Sequence, residues 1–136
     1  MKPVNPGPRD NWVNHFNPAM AVGDDGSLRV VALVRREAPR IRNAKPYVDV
    51  QYQQFMNGGE TFTAPIRIDV GRRANVRFAA VAGGRAFFGD YEQMAVAGPR
   101  TYVATCRAYR LHHGERGTIP ATIHHQRTWV TVLRGG

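Results

Sequence analysis

The chain has 136 residues, 19 Lys and Arg against 10 Asp and Glu, and a formal net charge of +9. This length suits one domain with a hydrophobic core and is too short for two, and the hydrophobic content of 43% argues against wholesale disorder. The single cysteine, Cys106, excludes an intrachain disulfide and a cysteine-based zinc site.

The N-terminal residues 1–14 are predicted to form an extended arm. The stretch contains three prolines and no apolar core of a secretory signal. No apolar run along the chain approaches the ~20 residues that a transmembrane helix needs. We therefore expect no membrane insertion, and a cytoplasmic or particle-associated location.

Strand patterns recur along the rest of the chain, and helix patterns are nearly absent. Short apolar or alternating segments are separated by Gly and Pro, which is typical of an all-β domain. The predicted strands are Phe16–Val22, Leu28–Val34, Tyr47–Gln54, Phe62–Val70, Val76–Val81, Ala86–Phe88, Gln93–Ala97, Thr101–Cys106, Ala121–His125 and Thr128–Leu133.

The most informative stretch is Tyr47–Ile68. Its first half alternates with the period of a half-buried strand, and Asn57-Gly58-Gly59 then provides residues that tolerate positive φ. Thr61-Phe62 opens the next strand. The pattern predicts a β-hairpin closed by this turn.

A weak internal repeat runs through the chain. Met20-Ala21-Val22 returns as Met94-Ala95-Val96, and Val30-Val31-Ala32 returns as Tyr102-Val103-Ala104. The offsets are 74 and 72 residues, since the second turn is the shorter one. The strand Tyr47–Gln54 is matched with Pro120–Arg127. A fixed internal period indicates a repeat architecture.

These residues resemble the sialidase-like β-propellers with BNR or Asp-box repeats. The resemblance rests on three segments: HFNPAMAVGDDGSLRVVALVRR, the box-like FMNGGETF, and FFGDYEQMAVAGPRTYVATCR. The box departs from the family pattern because Phe55 stands for Ser and Asn57 for Asp. The resemblance implies a propeller-like domain over 15–136, with two four-stranded blades at about 15–70 and 76–133. It conveys architecture more than chemistry.

Two blades cannot close a propeller, which needs about four to eight. Exposed sheet edges would favour association, so we expect a homo-oligomer, with three chains forming one ring as the favoured form. The alternative is a single β-sandwich or barrel.

The predicted function is a non-enzymatic binding or assembly module that recognises an acidic glycan or another anionic surface. Arg35, Arg36 and Arg107 are expected at strand ends, where guanidinium groups suit carboxylates. Trp12 and Tyr109 lie in loop-like segments and are the predicted exposed aromatic contacts.

Two other functions stay open. A divergent glycoside hydrolase would use Asp90, Tyr91, Arg35 and Arg107 in a shared central pocket. A structural component of a larger particle would attach through the arm and the basic surface.

No cofactor and no metal are expected. The pairs His112-His113 and His124-His125 would each direct at most one side chain inward from a strand. Asp24-Asp25-Gly26 lacks the other ligands of a calcium loop and is predicted to be a turn. Cys106 lies in an apolar strand and is predicted to be an inert buried thiol.

Overall fold

A computed structural model describes residues 13–36, 47–56, 60–71, 73–89, 92–110 and 126–134. These residues form three antiparallel sheets, none of which closes into a barrel, and one short 3-10 helix. The all-β class predicted from the sequence is confirmed. Within the described ranges there is no α-helix, and thus no helix long and apolar enough to cross a membrane.

The first sheet is an antiparallel meander whose four main strands are neighbours in chain order. Two further short strands pair with the outer edge of the third one. The strands are β1 (Val13–Val22), β2 (Leu28–Arg36), β3 (Tyr47–Met56), β4 (Thr61–Phe62), β5 (Ile66–Arg67) and β6 (Ala74–Asn75).

The second sheet contains three strands in the order β11-β10-β9, and a separate two-stranded hairpin precedes it in the chain. The hairpin consists of β7 (Ala80–Ala82) and β8 (Arg85–Phe87). The sheet consists of β9 (Gln93–Ala97), β10 (Arg100–Ala108) and β11 (Gln126–Arg134).

The predicted hairpin after β3 is present. Phe55 pairs with Phe62 and Met56 with Thr61 across β3 and β4, while the turn Asn57-Gly58-Gly59 lies outside the described residues. The two phenylalanine rings contact each other, so the aromatic end of the box-like motif has a packing role.

Two predicted strands are wrong in detail. Phe62–Val70 is interrupted at residues 63–65, where Pro65 lacks the N–H that a ladder needs, and its second part ends at Arg67. Val76–Val81 begins as a 3-10 helix over Val76–Phe78, where the Asn75 side chain accepts a hydrogen bond of 3.0 Å from the Arg77 N–H. The segment Ala121–His125 lies outside the described residues.

A β-bulge in β1 lies between Phe16 and Ala19, where the register with β2 shifts. Asn17 adopts a positive φ of 48°, a conformation that Asn tolerates better than most residues. Its side-chain amide donates to the Gly89 carbonyl at 3.0 Å. The bulge places both Phe16 and Ala19 against the core and ties β1 to the chain before β9.

The two larger sheets share one hydrophobic core. The first sheet contributes Val31, Leu33, Val48 and Val50, and the second contributes Val103, all at most 1% exposed. Alternation leaves every second residue of β10 buried, so each sheet has one face in this core.

The buried faces of the two sheets are equivalent in the internal repeat. Arg29 and Thr101 are 72 residues apart, the offset of the repeat, and their side chains form a hydrogen bond across the sheets. Here like faces meet, as in two stacked sheets.

Strand register corrects one part of the repeat. Val31 pairs with Ala19, and its equivalent Val103 pairs with Met94. Ala19 is therefore the structural counterpart of Met94, and the sequence match with Met20 is displaced by one residue. The burial agrees, because Met20 is 71% exposed whereas Met94 packs against the core. The third strand of the second unit is β11 and not Pro120–Arg127.

Candidate functional site

The predicted arginine cluster falls at the ends of β2 and β10. Arg35 is half-buried and pairs with Asn14, and Arg107 occupies the equivalent position of β10. Arg107 is only 2% exposed. The backbone of Arg36 belongs to β2, but its side chain lies outside the described part of the structure.

Tyr109 is not an exposed contact, contrary to prediction. It is 4% exposed, and its ring meets that of Trp129 edge-on at 6.2 Å between centroids. The segment looks loop-like in sequence but continues directly from the buried end of β10. Trp12, Asp90 and Tyr91 lie outside the described residues.

Arg107 belongs to a buried charge cluster with Asp69 and Glu92. Its Nη2 donates to the Thr131 Oγ1 at 3.2 Å, and its guanidinium carbon lies 5.1 Å from the centre of the Trp129 ring. Its Nε has no hydrogen-bond partner. Burial lowers the pKa of Arg107, and the nearby carboxylates of Asp69 and Glu92 oppose this change.

The carboxyl groups of this cluster are protonated more readily than exposed ones. Burial raises the pKa of Glu92 to about 7, although the Cys106 backbone and the Arg107 charge lower it. Burial and Asp49 raise the pKa of Asp69, although Arg67, whose Nε is 3.3 Å from Oδ1, lowers it.

The burial of the two carboxyl groups limits the chemistry that this cluster can perform. Asp69 is 0% and Glu92 6% exposed, and no oxygen of either carboxyl makes a hydrogen bond of normal geometry. A general acid or base must come within hydrogen-bond reach of the substrate. The cluster is sealed between the sheets, which makes it structural in the described conformation.

Cys106 is half-buried, and burial together with Glu92 raises the pKa of its thiol. A thiol with a raised pKa is a poor nucleophile at neutral pH. The described residues contain no group of three His, Cys, Asp or Glu side chains that could hold a metal. The four histidines at 112, 113, 124 and 125 and Glu115 fall outside the described ranges.

A groove of about 460 Å³ opens between the two sheets at the opposite end, where β2 and β10 begin. Its lining combines polar and apolar groups, as small-molecule sites do. We call it the inter-sheet groove; it is lined by Arg29, Tyr52, Gln54, Thr63, Ala64, Ile66, Thr101, Val132, Leu133 and Arg134.

The floor of the inter-sheet groove is held rigid by Arg29, which is 5% exposed. Its Nη1 donates to the Thr101 Oγ1 at 2.5 Å and its Nε to the Ser27 Oγ at 3.3 Å. Its Nη2 lies 3.6 Å from the Asp25 Oδ2. The predicted turn at Asp24-Asp25-Gly26 is present, and its carboxylate positions this arginine.

The turn itself is closed by Asp25. Its Oδ1 accepts hydrogen bonds from the Ser27 N–H at 2.9 Å and the Ser27 hydroxyl at 2.6 Å. These bonds lower the pKa of Asp25. A side chain at Gly23 would bring its Cβ within 2.5 Å of the same oxygen, so the turn requires glycine there.

The wall of the inter-sheet groove presents hydrogen-bonding groups from β3. The Tyr52 hydroxyl donates to the Gln54 Oε1 at 3.4 Å, and the Gln54 N–H donates to the Thr63 Oγ1 at 3.0 Å. The apolar Ile66, 52% exposed, lies beside them. Polar groups next to an apolar surface suit a sugar ring.

Arg134 at the rim has a second arginine as its register partner, which no sequence pattern indicates. Arg100 and Arg134 are direct register partners in β10 and β11, and both are exposed. Directly opposed residues have Cβ atoms about 5 Å apart, and like charges at that spacing destabilise a sheet. Only the register brings them together, since they are 34 residues apart in the chain.

No family model and no curated protein matches this chain. The resemblance to sialidase-like propellers, with the fold and activity it implies, therefore stays a prediction.

Proposed function

We propose that this protein is a non-enzymatic binding module for an acidic glycan, with the inter-sheet groove as the site. The observation that carries the proposal is Arg134, which lines the inter-sheet groove and has Arg100 as its register partner on β10. An anion bound between the two guanidinium groups relieves their repulsion and gains charge-assisted hydrogen bonds. The bound anion thus stabilises a contact that is unfavourable in its absence.

The surface charge supports an anionic partner. Three carboxylates among the described residues are exposed, at Asp24, Asp25 and Glu60. Other acidic groups are buried, as in Asp69 and Glu92. Seven described arginines are exposed: Arg67, Arg77, Arg85, Arg100, Arg110, Arg127 and Arg134. Burial of carboxylates therefore leaves a surface that attracts polyanions.

The packing of like faces supports the compact alternative for the fold. Two sheets that share one core form a groove within a single chain, so the proposed site does not need a ring of copies. The six-bladed trimer, the propeller and the attachment to a larger particle stay predictions. The hydrolase also stays a prediction, since its candidates Asp90 and Tyr91 lie outside the described residues.

The test is binding of a carboxylate glycan, an oligogalacturonate, by titration calorimetry at low and moderate salt, with a neutral maltooligosaccharide as the reference ligand. Arg134→Gln or Arg100→Gln is expected to weaken binding about tenfold, since a hydrogen bond to a charged group contributes roughly 1.5–3 kcal/mol. Arg85→Gln removes the same charge from the exposed strand β8 and serves as the matched control.

Three equal losses would mean that net charge alone attracts the ligand, and the inter-sheet groove would be rejected as the site. Absence of binding by the wild-type chain would reject the acidic glycan as ligand. If arginines recognise the carboxylate groups of the glycan, binding is expected to be stronger at low salt than at moderate salt.

A further inference from the structure

The inter-sheet groove contains a second arginine besides Arg134, and this one lies at its floor. Arg29 of β2 is 5% exposed and lines the groove together with Thr101. Within the described part of the chain, the lining includes two arginines and no Asp or Glu. A cleft that carries one sign of charge between low-dielectric walls concentrates the electric field. The inter-sheet groove is therefore positive at two levels, the floor and the rim.

The charge of Arg29 is only loosely compensated within the protein. Its hydrogen bonds with described residues go to the hydroxyl groups of Thr101 and Ser27, which are neutral. Its ion pair with Asp25 spans 3.6 Å, longer than a hydrogen bond, and the Asp25 side chain is 55% exposed. Because water screens an exposed carboxylate, such a pair contributes little. A buried charge is costly unless it is closely paired, so a carboxylate that reaches the floor gains a strong contact there.

The turn before β2 holds Asp25 at this distance from Arg29. The Asp25 Oδ1 accepts hydrogen bonds from the Ser27 N–H at 2.9 Å and from the Ser27 hydroxyl at 2.6 Å. A Cβ atom at Gly23 would lie 2.5 Å from the Asp25 Oδ1 and 3.0 Å from the Arg29 Nη2, so the turn is tightly packed beside the guanidinium group. A closer approach of the Asp25 carboxylate to Arg29 would disturb the hydrogen bonds that close the turn.

Strand register places the floor and the rim close together. Thr101, whose hydroxyl accepts the hydrogen bond from Arg29, pairs with Leu133, and Arg134 is the next residue of β11. Paired Cα atoms are about 5 Å apart, and consecutive residues of a strand are separated by about 3.4 Å. The volume of about 460 Å³ is in the range of small-ligand sites. One short oligosaccharide can therefore contact both arginines.

We propose that Arg29 binds a second carboxylate of the glycan and that the charge of Asp25 limits the affinity of this contact. The proposal rests on the glycan-binding function proposed above and narrows its ligand class to glycans with carboxylates on two sugar units, such as oligouronates. Arg134 binds one carboxylate at the rim, and Arg29 binds the other at the floor through charge-assisted hydrogen bonds. Asp25 competes with the ligand for the charge of Arg29.

The ligand class is tested by titration calorimetry with digalacturonate and its two monomethyl esters at low salt. Each ester is expected to bind the wild-type chain about tenfold more weakly than digalacturonate, because it loses the contact with one arginine. In Arg134→Gln, one ester is expected to bind nearly as tightly as digalacturonate, since the carboxylate that it lacks has lost its partner. An ester that binds the wild type as tightly as digalacturonate, or equal losses for both esters in Arg134→Gln, overturns the proposal.

The role of Asp25 is tested with Asp25→Asn, which removes the charge but keeps an Oδ1 that can accept the hydrogen bonds from Ser27. This variant leaves Arg29 and its contact with the second sheet in place, and circular dichroism checks the fold. It is expected to bind digalacturonate about threefold more tightly than the wild type, the effect of one screened ion pair. Asp24→Asn removes the same charge from the neighbouring exposed position and is the matched control. Equal changes in the two variants, or weaker binding by Asp25→Asn, contradict the proposal.

These measurements separate the failure of this proposal from the failure of the glycan-binding function. If the wild-type chain binds neither digalacturonate nor the longer oligogalacturonate, the function is rejected and this proposal is rejected with it. If the wild type binds and Arg134→Gln weakens binding, but Asp25→Asn behaves like Asp24→Asn, the function stands and this proposal fails. Arg29 would then be only a structural link between the two sheets.

Discussion

Replacing the buried Glu92 by glutamine tests the electrostatics of the core. Burial raises the pKa of Glu92 from the ordinary 4.5 to about 7 in the folded chain. Between these two pH values the unfolded chain loses the proton while the folded chain keeps it. Stability is therefore highest below about pH 4.5 and falls as the pH rises through about 7.

The size of the effect follows from the same pKa difference. At about 1.4 kcal/mol per pKa unit, the loss between pH 4 and pH 8 is roughly 3 kcal/mol of unfolding free energy. Glu92→Gln cannot ionise, so this part of the loss is removed. The pKa of Asp69 is also raised, so the stability of Glu92→Gln is still expected to decrease somewhat as the pH rises.

Urea unfolding at pH 4 and pH 8 gives the free energy of unfolding of the wild type and of Glu92→Gln. We expect the free energy of unfolding of Glu92→Gln, relative to wild type, to be roughly 3 kcal/mol more favourable at pH 8 than at pH 4. Using the difference between the two pH values cancels any fixed cost of burying the amide. Asp24→Asn, in an exposed turn, is the matched control for removing one carboxylate.

Parallel pH profiles of wild type and Glu92→Gln would refute the raised pKa. A variant that is relatively less stable at pH 8 would show that folding lowers the pKa of Glu92 below its ordinary 4.5. The attraction of Arg107 would then exceed the cost of burial, and the cluster would be an ordinary buried ion pair.

Two further predictions concern single side chains. Asn17→Ala should lower stability by about 1–2 kcal/mol in urea unfolding, and Asn17→Gly by less, because glycine tolerates the positive φ while both lose the bond to Gly89; equal losses would mean that the backbone conformation costs nothing. Cys106 should react with a thiol reagent much more slowly in the folded chain than in urea at pH 8, since it is half-buried beside Glu92 with a raised pKa; equal rates would contradict that environment.

Local patterns in the sequence were sufficient for most strands. Tyr47–Gln54 and Leu28–Val34 alternate or are continuously apolar, and both lie within observed strands. The prediction for Val76–Val81 was wrong because an Asn before the segment caps a helical turn, and side-chain capping competes with strand pairing. Apolar content alone does not reveal that competition.

Sequence similarity predicted the internal repeat only in part. The match of Val31 with Val103 is correct in burial, whereas the match of Met20 with Met94 is one residue out of register. In a strand, a displacement of one residue exchanges the two faces. The cause is the turn before β10, which is three residues shorter than the turn before β2 once strand pairing is counted.

Composition and local periodicity were enough to establish the all-β class, the hairpins, the basic charge and the absence of an intrachain disulfide. The packing of the two sheets, by contrast, sets which faces meet, and so which arginines are buried and which are exposed. Arg107 is buried beside Glu92, while Arg134 lines the inter-sheet groove and is the exposed register partner of Arg100. These arrangements join residues distant in the chain through strand register and sheet packing, which no local pattern encodes.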